Sequence, residues 1–149
     1  MPKLIIDANM LLVFIVGSIN PNLLGVAKRV KEYRPSDFDV LSTYLGCFTE
    51  IILLPNTVSE VSNLLDHLKG DRRQDCMVFL AGLASTGSEK YIASSIAALQ
   101  PEYMALGMTD SAILCALEKD TYLLTADNEL YLAAICRSQE AQHFGDLRD

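Results

Sequence analysis

Tryptophan is absent from this 149-residue chain, aromatic residues make up 7% of it, and histidine occurs only at His67 and His143. The four cysteines (Cys47, Cys76, Cys115 and Cys136) form no Cys-x-x-Cys pair. Too few histidines and no paired thiols speak against a zinc centre of the usual kind. Cys76, Cys115 and Cys136 fall in apolar helical patterns and read as buried thiols of a reduced, cytosolic protein. No apolar run approaches the roughly 20 residues of a membrane-spanning helix, so no membrane partner is expected. Low-complexity tracts are missing too, and half the residues are apolar, enough for one domain spanning 1–149 with a sizeable core.

Positive charge is also scarce. Twelve Lys and Arg stand against nineteen Asp and Glu, a net charge of −7, which disfavours indiscriminate binding to nucleic acid. Two basic clusters run against this trend: Lys28, Arg29, Lys31 and Arg34, then Lys69, Arg72 and Arg73. Each by itself reads as a solvated helix face.

Short apolar runs alternate with helical patterns. Strands are expected at Lys3–Ile6, Ile51–Leu54, Tyr91–Ala93, Tyr122–Leu124 and Ala141–Phe144. The first strand is followed by an apolar helix from Met10 to Val16. Asp7 and Asn9 interrupt this N-terminal run, which distinguishes it from a signal peptide. Further helices are expected from Pro35, from Val58 to Leu68 with Gly70 closing it, from Arg72 to Ala84, from Thr109 to Lys119, and from Asp127 to Cys136. Strands alternating with helices imply a three-layer α/β fold with a central parallel sheet.

Four acids stand where an apolar run ends or a helix begins: Asp7 in LIIDANMLL, Glu60 in LLPNTVSEVSNLL, Asp110 in LGMTDSAILCAL and Asp127 in YLLTADNELYLAA. In a parallel sheet these places open on one edge, where ligand sites form. Three of the acids have structural explanations. Thr57-Val58-Ser59-Glu60 fits a capping box, Thr109-Asp110 fits a cap with an acid in the first turn, and Asp127 suits an N-cap. Asp7 lies between apolar residues, where burying an unpartnered carboxylate costs at least the ~2–7 kcal/mol of a polar group, so it demands a partner. Four carboxylates on one edge repel one another unless a cation joins them, which points to a divalent metal and phosphate hydrolysis.

The ordered set of Asp7-Ala-Asn-Met-Leu-Leu, the Glu60 helix, Thr109-Asp110 and Thr125-Ala-Asp127 resembles the PIN (PilT N-terminus) domain, a ribonuclease fold, over nearly the whole chain. The resemblance implies a PIN-like central parallel sheet flanked by helices and Mg²⁺- or Mn²⁺-dependent cleavage of single-stranded RNA. It assigns Asp7, Glu60, Asp110 and Asp127 as catalytic metal-site acids, Thr125 as the hydroxyl residue of a Thr-x-Asp element, and Asn9 as a polar support for Asp7. A cytoplasmic toxin-type or defence-related endoribonuclease is expected, with single-stranded RNA, an antitoxin-like protein and further copies of itself as partners. A haloacid-dehalogenase phosphatase is disfavoured because Asn9 stands where a second acid belongs. A catalytically idle PIN-like binding module is the alternative from another class, and metal-dependent cleavage separates the two.

Overall fold

The computed structural model describes residues 2–148. In chain order the elements are β1 (Lys3–Ile6), α1 (Ala8–Ile19), α2 (Pro35–Leu45), β2 (Glu50–Leu53), α3 (Pro55–Leu64), α4 (Gly70–Thr86), β3 (Ser88–Glu89), α5 (Ser94–Ala97), α6 (Tyr103–Ala116), β4 (Thr121–Thr125), α7 (Asn128–Cys136) and β5 (Glu140–His143). The strands form one sheet in the order β3-β2-β1-β4-β5, and every pairing is parallel. The fold is therefore α/β with three layers.

A parallel sheet needs cover on both faces, and alternation along the strands divides the core accordingly. Leu4, Ile6, Leu53 and Leu124 face one layer, where they meet Leu11, Ile15, Leu41, Val61 and Leu80 from α1 to α4. Ile5, Ile52 and Leu123 face the other, against Ala97, Ile113, Leu114 and Leu130 from α5, α6 and α7. Helix α1 is apolar all round and buried along most of its length, as expected of a helix enclosed by its neighbours. It passes through Gly17, where a Cβ would lie 2.3 Å from the Phe38 ring. The helix thus runs past Val16, where the apolar pattern predicts its end, and glycine at this position admits α2 at close range. Among the described residues no helix is long and apolar enough to cross a membrane.

Several boundaries differ from those the spacing predicts. Apolar positions continue to Leu68, but α3 ends at Leu64 and a 3-10 turn, Leu65–His67, carries the rest. Gly70 does not close that helix; with φ +63 it opens α4. The third strand is Ser88–Glu89 rather than Tyr91–Ala93, since pairing with Ile52 and Leu53 on β2 fixes its place. Helix α6 starts six residues before Thr109, at Tyr103, and ends at Ala116 instead of Lys119. It is broken at Gly107 (φ 87, ψ −175), so a fresh helical run carries Asp110. Cys76 is buried as expected, but Cys136 is exposed at the last turn of α7.

Candidate active site

Chain connections from β1 lead to β2 on one side, whereas β4 and β5 lie on the other. The carboxyl ends of β1 and β4 thus flank a topological switch point, the place where open α/β sheets form ligand crevices. Asp7 follows β1 directly and caps α1. Its Oδ1 accepts the Met10 N–H at 3.0 Å, and its Oδ2 accepts the Thr125 hydroxyl across the sheet. These two donors are the partners that the apolar setting of Asp7 demands. The side chain is 6% exposed.

Thr125, the last residue of β4, is fully buried and serves two carboxylates. While its hydroxyl donates to Asp7, its oxygen accepts the Asp127 N–H at 2.9 Å. Asp127 caps α7 as expected, its Oδ1 accepting from the N–H groups of Glu129 and Leu130 at 2.8 and 3.2 Å. One hydroxyl therefore couples the acid after β1 to the acid after β4.

Glu60 and Asp110 reach this edge from helices on opposite faces of the sheet. The capping box expected at Glu60 is not formed: α3 begins at Pro55 with Leu54 as its cap residue and no side-chain cap bond. Proline at the first helical position supplies the start instead. Thr57 is thereby left inside the first turn, buried, with its hydroxyl unpartnered. The Ser111 hydroxyl beside Asp110 is buried and unpartnered as well.

Electrostatics tie the four acids together. Burial pushes the Asp110 carboxyl up to about 7, and the charges of Asp127, Asp7, Glu60 and Glu129 push in the same direction. Asp7 is raised to about 6, chiefly by burial. The hydrogen bonds from Thr125 and Met10 oppose that rise, and the charges of Asp127 and Glu60 add to it. Every contribution named for Asp110 is unfavourable to its charged form. Burial and neighbouring negative charge both disfavour the charged form of a carboxylate. Glu129 had no motif to mark it, although its place two residues beyond Asp127 put it on the first turn of α7.

Asn9 is exposed. It lines a crevice of about 360 Å³ with Asp127 and His143. Lys28, Arg29 and Lys31 are exposed, and Arg73 is paired with Asp66 at 2.7 Å.

The donor chemistry of Asp7, Glu60, Asp110 and Asp127, all carboxylate oxygen, suits a hard ion such as Mg²⁺ or Mn²⁺. The raised carboxyl pKa values of Asp7 and Asp110 suit one too. Among the described residues, however, no three His, Cys, Asp or Glu side chains lie in position to hold one ion together. Set beside models of known protein families and beside curated proteins, the chain matches none.

Proposed function

We propose that this chain is a cytoplasmic metal-dependent endoribonuclease of the PIN kind, hydrolysing phosphodiester bonds in single-stranded RNA. One observation carries the reading: acids from four separate elements are electrostatically coupled at the carboxyl edge, beside the switch point between β1 and β4. A carboxyl raised to about 7 by burial and by neighbouring acids, as Asp110 is, is a functional-site signature with a stated cause.

Asp7 and Asp110 would hold Mg²⁺ or Mn²⁺ with help from Glu60 and Asp127, and the ion would supply a water acidified to near neutral pH and a counter-charge for phosphate. Thr125 is a positioning residue, fixing the rotamer of Asp7 and the backbone before Asp127. Met10 N–H locks the other Asp7 oxygen. Glu60 and Asp127 are exposed and accessible to a strand laid over the edge. Lys28, Arg29 and Lys31 offer that strand a basic track, as single-strand binding requires.

A second reading, an idle binding module, is favoured by one fact: no three of the acids gather at ligand spacing. Cleavage of a fluorescent single-stranded RNA by wild type and Asp110→Asn, in Mn²⁺, Mg²⁺ and EDTA, decides between them. Cleavage that needs metal and vanishes in the variant supports the nuclease. A folded wild type that neither cleaves RNA nor responds to metal supports the module.

A further inference from the structure

Beyond the acids, the same edge carries a crevice of about 360 Å³ that the proposed chemistry leaves unused, with Asn9, Glu32, Tyr33, Asp127, Asn128 and Arg148 among its lining. Asp127 belongs both to this crevice and to the coupled acids, so whatever fills the crevice sits beside the bond those acids would hydrolyse.

Tyr33 is the informative residue. It is wedged between Phe144, with ring centroids 6.2 Å apart, and the Arg148 guanidinium, 5.3 Å from the ring centre. Arg148 is itself fixed by both Asp37 oxygens, at 2.9 and 2.8 Å, and by the Glu32 carbonyl at 3.0 Å. No described group hydrogen-bonds to the Tyr33 hydroxyl, and that oxygen is not among the unpartnered polar atoms sealed from solvent, which are Thr57 Oγ1, Ser111 Oγ, Gln139 Oε1 and His143 Nε2. Part of the little surface Tyr33 keeps is therefore its hydroxyl, on a residue that lines the crevice. Burial raises the phenol pKa, and the charges of Glu32 and Asp7 act on it in the same direction. The hydroxyl thus stays a protonated donor at physiological pH, with carboxylates near it.

The chemistry of the wall decides what this donor meets. Arg148 is committed to Asp37, while Glu32 and Asp127 are acids, so the wall does not attract a phosphate. A sugar hydroxyl suits it better. A hydroxyl both donates and accepts, so it can accept from the Tyr33 phenol and donate to the exposed Glu32 side chain. The amides of Asn9 and Asn128 serve either direction. Carboxylates take ribose hydroxyls in this way in dinucleotide sites. In RNA the 2′-hydroxyl has this dual character and is the group that DNA lacks. Lys28, Arg29 and Lys31 directly precede Glu32 and Tyr33 in the chain, so a strand whose phosphates follow those cations brings its sugars past the opening.

We propose that this crevice is a ribose subsite in which Tyr33 donates to, and Glu32 accepts from, the 2′-hydroxyl of the nucleotide beside the cleaved bond, so that the pair selects RNA over DNA. The proposal rests on the nuclease reading for its place in the reaction, but binding tests it without turnover. Wild type, Tyr33→Phe and Glu32→Ala are compared on one single-stranded RNA in Mn²⁺, with 2′-deoxy substitutions walked through the positions around the cut. Phenylalanine keeps the stack on Phe144 and Arg148 and deletes only an oxygen that has no partner in the free protein, so the Tm is expected not to fall. In wild type, a deoxy nucleotide beside the cut is expected to lower kcat/KM by about tenfold, the worth of one hydrogen bond. Each variant is expected to cleave the all-RNA strand about tenfold more slowly and to lose most of the response to that deoxy position, because the two changes remove one interaction. In parallel, fluorescence anisotropy in EDTA compares oligo-A in its ribo and deoxyribo forms. Wild type is expected to prefer the ribo form, and both variants to lose that preference. A deoxy substitution that costs wild type nothing, or costs either variant as much as wild type, overturns the subsite while leaving the nuclease standing. Absence of cleavage, with a ribo preference that the variants lose, retains the subsite and removes the nuclease. A wild type that neither cleaves RNA nor prefers the ribo form removes both.

Discussion

Thr125 donates its hydroxyl to Asp7 and accepts the backbone N–H of Asp127, so one buried side chain sets two acids from neighbouring strands. Thr125→Val keeps the shape and removes both functions. The Asp7 Oδ2 is then buried without that donor, a loss of ~1–3 kcal/mol, and the Asp7 pKa moves further up because a bond that lowered it is gone. Urea titrations are expected to show this loss at pH 8 and a smaller one at pH 5, where Asp7 is protonated. Thr125→Ser should recover most of it. Equal losses at both pH values would point to packing alone.

The raised carboxyls make stability depend on pH in a defined direction. Asp7 and Asp110 keep protons up to about 6 and about 7 in the folded chain, against a usual 3.8. The folded state therefore binds more protons than the unfolded chain between roughly pH 4 and pH 7. Their contribution is complete below about pH 4 and is lost as pH rises through 6 to 7. Asp110→Asn, a neutral mimic, should melt higher than wild type by a few degrees at pH 8 in EDTA, with a smaller difference at pH 5 and least near pH 4. A gap that does not change with pH would contradict the coupling.

A cation should reverse that penalty. Ligand bound only to the folded state raises stability by mass action, so millimolar Mn²⁺ or Mg²⁺ is expected to raise the Tm of wild type. Asp7→Asn should abolish most of the gain. An undiminished response in the variant would remove Asp7 from the metal site.

Gly107 sets where the helix carrying Asp110 begins. Its φ of 87 and ψ of −175 lie in a region open essentially to glycine alone. Gly107→Ala meets no atom within 4 Å, so its cost is backbone strain, of order ~1–3 kcal/mol. Denaturation should show that loss, and RNA cleavage should fall more than stability does, because Asp110 is displaced. Wild-type activity in Gly107→Ala would show that the break has no part in placing the acid.

The layers of the fold were legible because apolar runs such as LIID and YLLT leave little alternative to buried parallel strands. The carboxyl edge was legible from Asp7, whose apolar neighbours demand a partner, and Asp127 was recognisable as a cap. Two kinds of feature were not. Helix limits at Gly17, Gly70 and Tyr103 depend on tertiary contacts or on positive φ, which apolar spacing does not encode. The Glu60 capping box failed because Pro55 starts the helix earlier than Thr57. Tyr33 gave no motif at all, since its place on the crevice wall emerges only when Phe144 and Arg148, from the far end of the chain, brace its ring.

The central claim, that Asp7, Glu60, Asp110 and Asp127 form one cation site, is tested most directly by an anomalous difference map from crystals soaked in Mn²⁺. The expected result is a peak at the carboxyl edge within ligand distance of Asp7 and Asp110, absent in Asp7→Asn crystals. No peak there, in crystals of a protein that still cleaves RNA with Mn²⁺, would contradict it.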